Sequence, residues 1–395
     1  MQKKLLAAAV VSAFAAPVAF AQPANVTLYG SLQTEIFSLK GTGANGNPNR
    51  AQTNNISSPG VFFIGFRGQE SLGGGLSAIW QIEQGASADG TGTSSTWGGR
   101  NTFLGLSGGF GRAYVGLMDS PLKRVLSINN SMRNGLTGPQ GMNSILNNGD
   151  TSGADPFVSS GAGNNSAFSR RTGNSFNYDS PVFSGFSVHA QYGTNEGRAL
   201  TVAGGQNPAL YGLSAMYSAG PIRAGLGWQE HKDFRGAGLT DSSMLASASY
   251  TAGPFMVQGA YSTLNYATAA SGDIKRSNYL IGGQYSMGAH RFRAQYQVAG
   301  DTKGAVGGLT PAGSTAIGNV AIFNASGADT GATIWHLNYG YALSKRTEVY
   351  GYYGKLDNDN NARVNFSGSA ALGISGNALR GMDATFYGVG IAHTF

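Results

Sequence analysis

The residues of this chain that could do chemistry are isolated arginines and carboxylates at alternate positions of short segments. In the segment that starts at His290, Arg291 and Arg293 share one face with glutamines, whereas Phe292 and Tyr296 occupy the other. Side chains that alternate in this way lie on opposite faces of a β-strand. Guanidinium groups that line a wet passage would attract anions, because rings of charge bias the passage of ions.

Motifs that could indicate catalysis lack the structural context that they need. Gly41–Gly46 fits G-x-G-x-x-G, but a loop follows it instead of the helix that would cradle a phosphate. Gly105–Gly109 fits G-x-S-x-G, but Phe110 begins another strand where a nucleophile elbow requires a helix. Asp357-x-Asp359-x-Asn361 lacks the glycine and distal glutamate of a calcium loop, and the histidines are widely spaced. We therefore predict no enzyme, no cofactor and no metal site.

The composition favours a membrane β-barrel over a soluble domain. Of the 395 residues only 11% are charged, against roughly 25% in soluble domains, and there are 62 Gly, 18 Tyr and 20 Phe. Beyond the N-terminus no segment approaches the ~18 uninterrupted apolar residues of a transmembrane helix. The formal net charge of +7 is spread over single residues rather than a basic patch, so we predict no nucleic-acid partner. Cysteine is absent from the sequence, so disulfides play no part.

The N-terminus has the features of a secretory signal peptide. Lys3 and Lys4 precede the short apolar run Leu5–Phe14, and Ala19–Ala21 forms an A-x-A cleavage site. The alternative, a membrane-anchoring helix, is disfavoured because the apolar run is shorter than the ~20 residues that a span needs. We predict a signal peptide over residues 1–21 and a single barrel domain over residues 22–395.

The rest of the chain reads as about sixteen strands of roughly ten residues, the length of a tilted membrane strand. Their connections alternate between short turns with Gly and Pro and long polar loops, as at 40–59, 84–99, 301–329 and 356–383. Turns on one side and long loops on the other are typical of outer-membrane barrels. We predict an all-β fold, a 16-stranded antiparallel transmembrane β-barrel.

The third long connection, Met118–Ser169, is crowded with Asn, Gly and Ser and has no sustained alternation. A structureless insert of this length would contradict the strand assignments in a compact soluble domain. It is compatible with a large barrel, whose aqueous lumen side chains alone cannot fill. We predict that the insert folds into the lumen and narrows it. Its acids are Asp119, Asp150 and Asp155, and its bases include Lys123, Arg124 and Arg133.

The charged strand residues are predicted to face the lumen. An arginine at the bilayer midplane costs about 2–4 kcal/mol on the lipid side, so the charged face must meet water. Low-dielectric walls focus the field of such charges, and the excess of arginine predicts mild anion selectivity in a passive channel. The cations assigned to the lumen are Arg67, Arg100, Arg171, Arg223, Arg291 and Arg293; the anions are Glu35, Glu83 and Glu348.

Several motifs, in order along the chain, carry a resemblance to a known family. They are the segments Asn25–Gly30, Ile64–Leu76, Arg100–Gly111, Asn174–Phe186 and Tyr387–Phe395. The chain resembles the Gram-negative general trimeric porins, most closely the β-proteobacterial type. The resemblance implies sixteen strands, an inserted third loop, a homotrimer in the outer membrane among lipopolysaccharide, and a terminal Phe395 that the barrel-assembly machinery reads.

The resemblance also implies an arginine cluster on the wall opposite carboxylates on the inserted loop. Arg100 and Arg171 match wall arginines by position. Phe63 stands where such porins usually have another arginine, and Gly116-Leu117 replaces a Gly-Arg pair. The Pro-Glu-Phe-Gly sequence of enteric porins is missing from the insert.

Two alternatives to a general diffusion channel remain at this point. A substrate-selective channel would need a track of stacked aromatic residues in the lumen, for which Tyr350 and Tyr352 face inward by parity. An outer-membrane barrel hydrolase would need a serine, a histidine and an acid or amide clustered on the barrel.

Overall fold

The structure is a computed structural model that describes residues 25–41, 52–57, 62–86, 97–133, 146, 168–194, 207–234, 237–267, 273–304, 327–362, 364 and 381–395. The segment predicted to be a signal peptide lies outside these residues. The described strands form one antiparallel sheet. They are β1 (Asn25–Gly41), β2 (Gln52–Ser57), β3 (Phe63–Gly73), β4 (Leu76–Gly85), β5 (Thr102–Gly108), β6 (Gly111–Asp119), β7 (Arg171–Asp179), β8 (Phe186–Gly193), β9 (Ala209–Ala219), β10 (Ile222–Lys232), β11 (Thr240–Ala252), β12 (Phe255–Tyr266), β13 (Ile274–Met287), β14 (His290–Ala299), β15 (Ala332–Ala342), β16 (Thr347–Asn358) and β17 (Ala384–Thr394).

The sheet closes on itself into a barrel. From β3 onward each strand pairs with the next, and β17 pairs with β1 between Ser31–Thr394 and Gly41–Ala384. The strands β2 and β3 both pair with β1, β3 along Asn25–Ser31 and β2 along Glu35–Lys40. The strands β2 and β3 therefore lie end to end beside β1 and count as one strand of the barrel. The seventeen strands thus build the sixteen-stranded antiparallel barrel that the sequence predicts.

The strand β2 is a feature that the sequence did not indicate. We interpreted residues 40–59 as a long loop, but β1 continues to Gly41 and β2 pairs with it. The segment Gln-Thr-Asn-Asn-Ile-Ser has no apolar alternation, so periodicity could not reveal it. Its backbone pairs with β1 from Glu35–Ser57 to Lys40–Gln52.

The short turns lie together at one end of the barrel, which we call the short-turn end. Between β11 and β12 the turn has only two residues, Gly253 with φ 54° and Pro254. A positive φ at the first central position is the requirement of a type II′ hairpin, and glycine meets it without steric cost. The strand ends that flank the long connections lie at the other end, as the alternation of connection lengths predicts.

The two faces of the wall differ as the alternation requires. On β14, Arg293, Gln295 and Gln297 are buried on the inner face. The neighbouring Phe292 is 44% exposed on the outer face, and Ile281 on β13 is 66% exposed. The outer face is thus apolar, as contact with lipid requires. Among the described residues no helix combines the length and apolarity needed to cross a bilayer.

A short helix, α1 (Pro121–Leu126), followed by a 3₁₀ turn (Ser127–Asn129), begins the insert after β6. The Ser120 hydroxyl caps the helix by accepting from the Lys123 backbone N–H at 3.3 Å. The apolar side chains of α1 are buried against the inner wall. The wall makes room for them with glycines: a Cβ on Gly225 of β10 would come within 3.0 Å of the Ile128 side chain.

Candidate functional site

The two ends of the insert are tied together at Asp119, the last residue of β6. Its carboxylate lies 3.1 Å from Arg171 Nε at the start of β7 and 3.2 Å from Lys123 Nζ on α1. Asn101 donates to the same carboxylate at 2.9 Å and accepts from the Asp119 backbone N–H at 2.9 Å. A shift in register between Gly116 and Met118 turns the chain away from the sheet at this point. The charge of Arg171 is therefore shared with a carboxylate that fixes the insert.

Arg100 belongs to a second cluster, on the inner face of β1, β3 and β4. Its guanidinium lies 3.7 Å from the Glu83 carboxylate and stacks 4.5 Å above the Phe63 ring. The Tyr29 hydroxyl donates to Glu83 at 2.9 Å, and the Arg67 guanidinium lies 5.1 Å from the Tyr29 ring. Phe63, at the position where the resembling porins usually have arginine, thus supports another arginine.

Asp179 is the centre of a third cluster, which holds the helix of the insert. Its carboxylate lies 2.8 Å from Arg124 Nη1 on α1, 2.6 Å from Arg112 Nη2 and 2.8 Å from His189 Nδ1. The Tyr114 hydroxyl accepts from Arg124 as well. Of these five residues, our sequence analysis named only Arg124.

The alternation of β7 could have indicated Asp179. Asp179 lies at alternate positions with Ser175 and Asn177, and all three side chains are buried on the inner face. What the alternation could not indicate is its partner, because Arg124 lies in a segment without strand periodicity.

A fourth cluster lies on β13 to β16 near the short-turn end. Arg293 makes two bonds to the Glu348 carboxylate, at 2.6 and 3.1 Å, and donates to Gln284 and Asn338 at 2.8 Å. Arg133 of the insert lies 3.8 Å from Glu348, and its carbonyl accepts from Asn338 at 2.9 Å. The insert therefore contacts the wall at β15 and β16, whereas α1 packs against β9 to β11.

Two further contacts join the insert to the inner face of β12. Gln258 donates to the carbonyl of Asn129 at 3.1 Å, and Ser262 donates to the carbonyl of Leu146 at 2.5 Å. Both wall residues are buried on the inner face. Asn129 and Leu146 of the insert thus contact residues that face the interior of the barrel.

The remaining candidates are spread around the wall. Arg291 donates to the carbonyls of Gly288 and His290 at 2.7 and 2.9 Å. Glu35 is buried and accepts from the Tyr350 hydroxyl at 3.1 Å. Arg223 is exposed at the start of β10. Asp150 and Asp155 lie outside the described residues.

The candidates therefore form separate clusters along the inner wall. Within the part of the chain that the structure describes, no group of three or more acidic or histidine side chains could hold a metal ion. The terminal Phe395 exchanges backbone hydrogen bonds of 3.1 Å with Gly30 of β1, which anchors the end of the chain at the short-turn end.

Comparison with known proteins gives a consistent result. The sequence profile of the family described as Gram-negative porin matches residues 7–361. The major outer membrane protein P.IB of Neisseria gonorrhoeae is 35% identical over 194 residues, 49% of this chain and 48% of that protein. The matched segment thus spans about half the length of this relative.

Two other matches extend along the chain. The outer membrane porin protein 32 of Delftia acidovorans is 26% identical over the full length of both proteins. Among solved structures, the anion-selective porin from Comamonas acidovorans has a TM-score of 0.70 at 24% identity, with 94% of this chain and 100% of that chain covered. At this identity the structural likeness concerns the fold.

Proposed function

The chain belongs to the Gram-negative porin family, and from that premise we propose that it is a passive diffusion channel for small hydrophilic solutes and ions. Its barrel lies in the outer membrane, and both the family and the fold are those of channels. The observation that carries the proposal is the division of the wall, with arginine and glutamine buried inside and Phe, Tyr and Ile exposed outside. A polar interior enclosed by a wall that faces lipid can hold water and solutes.

The cross-section of the channel, in this proposal, is set by the insert. The insert is fixed at its root by Asp119, on one wall by Arg124 and Asp179, and on another wall by Arg133 and Glu348. Three charged attachments and the apolar face of α1 hold its described part against the inner wall. A rigid obstruction of this kind would set a limit on the size of the solute.

Mild anion selectivity follows from the balance of charge in the clusters. At the root of the insert two cations, Arg171 and Lys123, face one carboxylate, Asp119. At Asp179 two arginines also face one carboxylate. Each cluster therefore retains positive charge, and a narrow lumen with low-dielectric walls strengthens its effect on passing ions.

We further propose that the protein is a homotrimer, as the family resemblance implies. Lipid and lipopolysaccharide surround its outer face, and the assembly machinery reads Phe395 at the end of β17. The large apolar side chains exposed on β1 and β17, among them Ile36 and Val389, give neighbouring subunits or lipid a surface to cover.

The test of the proposed selectivity is the reversal potential across a planar bilayer that separates two concentrations of KCl. We expect a shift toward the chloride equilibrium potential for the wild type. The double variant Arg100→Ala with Arg171→Ala should reduce this shift, because two positive charges leave the lumen.

The matched control is Lys275→Ala. Lys275 lies on β13 and forms an exposed ion pair with Asp273, so the variant removes one positive charge outside the lumen. Its reversal potential should equal that of the wild type. A cation-selective wild type, or an unchanged double variant, would contradict the assignment of these arginines to selectivity.

The substrate-selective alternative receives little support from the inner aromatic residues. Tyr350 and Tyr352 are stacked with ring centroids 6.3 Å apart, and Tyr352 lies 6.3 Å from Phe386. These three rings are, however, at most 6% exposed. A ring that is almost completely buried offers no surface on which a sugar could slide.

A further inference from the structure

A polar cavity of about 530 Å³ lies at the short-turn end, between the insert and the inner wall. Asn130, Ser131 and Arg133 line it from the insert, and residues of β12 to β17 and the turn before β16 line it from the barrel. This cavity is separate from the clusters at Asp119, Glu83 and Asp179. It lies where a solute would pass between the insert and the end of the barrel.

The lining of this cavity is strongly basic. Five cationic side chains contribute to it and only one carboxylate, that of Glu348. The carboxylate is already bound by Arg293 at 2.6 and 3.1 Å and lies 3.8 Å from Arg133. The cations are Arg133, Arg291, Arg293, Lys345 and Arg346.

Three of these cations have no acidic partner among the described residues: Arg291, Lys345 and Arg346. Arg291 is nevertheless held in place, because its Nη1 donates to the carbonyls of Gly288 and His290. Its Nε and Nη2 donors have no further partner among the described residues. Arg346 is fixed at its backbone, which donates to the Ser344 hydroxyl at 3.1 Å and accepts from Thr394 at 2.9 Å.

The geometry points to a binding site for small divalent oxyanions in this cavity, and we propose inorganic phosphate as their representative. The inference rests on the proposed channel function, because the anion reaches the site through the lumen. Guanidinium groups match oxyanions with directed, charge-assisted hydrogen bonds, which a monovalent ion such as chloride cannot use to the same extent. An anion that has passed the insert would pause here before it leaves the channel.

The test is the KCl current through single channels of the full-length protein in a planar bilayer, titrated with inorganic phosphate at pH 7.5. We expect a saturable reduction of the current. In the double variant Arg291→Gln with Arg346→Gln, the phosphate concentration for half the effect should rise by roughly tenfold. Acetate, a monovalent oxyanion that guanidinium groups also bind, should need a higher concentration than phosphate for the same effect at equal ionic strength.

The matched control is Lys275→Gln. Lys275 is exposed on β13, pairs with Asp273 and does not line the cavity, so the phosphate titration of this variant should equal that of the wild type. If the double variant does not fold, Lys345→Gln in the exposed turn replaces it in the test. The phosphate concentration for half the effect should then rise by less than in the double variant.

A linear phosphate response, an unchanged double variant, or an equal effect of Lys275→Gln would overturn the proposed site. These results differ from a failure of the channel proposal itself, in which the wild type would carry no KCl current at all.

Discussion

At the scale of single residues, the positions of the charges were predictable and their partners were not. Alternation alone placed Arg293 and Glu35 on the inner face, because the period of a strand is two. The bonds from Arg293 to Glu348, which lies on another strand, depend on the order of strands and on their register. The stacking of Arg100 on Phe63 likewise joins residues that no local pattern connects.

Asp179 is the carboxylate that binds α1 to the wall. Its replacement by Asn would leave Arg112 and Arg124 facing each other without a carboxylate, and the loss of one partner from a buried ion pair costs about 3–5 kcal/mol. We expect α1 to separate from the wall, with more frequent closures and greater noise in single-channel currents.

The control for this prediction is Asp273→Asn, which removes a carboxylate from an exposed pair with Lys275 that is worth about 0–1 kcal/mol. Its current traces should match those of the wild type. If the single-channel currents of Asp179→Asn showed no additional closures or noise, the apolar face of α1 would hold the insert without help from this ion pair.

At the scale of elements, strands and turns were predictable wherever a side-chain pattern accompanied them. Ala252–Gly253–Pro254 marks its hairpin because each residue type fits the turn that it makes. The strand β2 and the helix α1 lack such a pattern. The short helix is formed by its Ser120 cap, Pro121 and packing against a wall that only the folded barrel provides.

The long-loop end of the barrel offers a prediction about pH. No cationic side chain among the described residues pairs with Asp359, which follows β16, and burial together with the nearby Asp301 and Asp329 raises its pKa. The Asp359 backbone N–H donates to the Gly331 carbonyl at 3.1 Å, and the Asn361 backbone N–H donates to the Asp329 carbonyl at 2.8 Å. These bonds join the segment after β16 to the segment before β15.

Because the pKa is raised in the folded state, this contact should be most stable when Asp359 is protonated and should weaken as the pH rises through that pKa. Hydrogen exchange at the Asn361 amide, corrected for its intrinsic rate, should therefore accelerate between about pH 4 and neutral pH. Asp359→Asn should abolish the trend. The Thr394 amide at the short-turn end serves as the internal reference, and a parallel trend there would refute the explanation.

At the scale of the whole molecule, the barrel was predictable because the constraint is global. Sixteen strands with an apolar outer face and a polar inner face are compatible with a closed wall in lipid and with little else. The exact seam of that wall, from Ser31–Thr394 to Gly41–Ala384, could not be deduced, because register between distant strands has no local determinant.

The assignment of faces predicts that the cost of a charged side chain on the outer face depends on its depth in the membrane. Ile281 lies in the middle of β13 and is 66% exposed, whereas Tyr285 lies on the same face near the short-turn end. In vesicles, Ile281→Arg should reduce the free energy of unfolding by about 2–4 kcal/mol, and Tyr285→Arg by about 0–1 kcal/mol. Chemical denaturation followed by tryptophan fluorescence measures both, and equal costs would mean that the outer face does not meet lipid as assigned.

The pairing of β1 with β17 has a consequence for biogenesis. The strand made first finds its last neighbour in the strand made last, so one bare edge persists throughout synthesis and export. Unpaired edges of this kind recruit other chains. Until β17 is made, the edge of β1 that will pair with it therefore stays open to other chains, and closure of this single joint removes the last unpaired edge of the barrel.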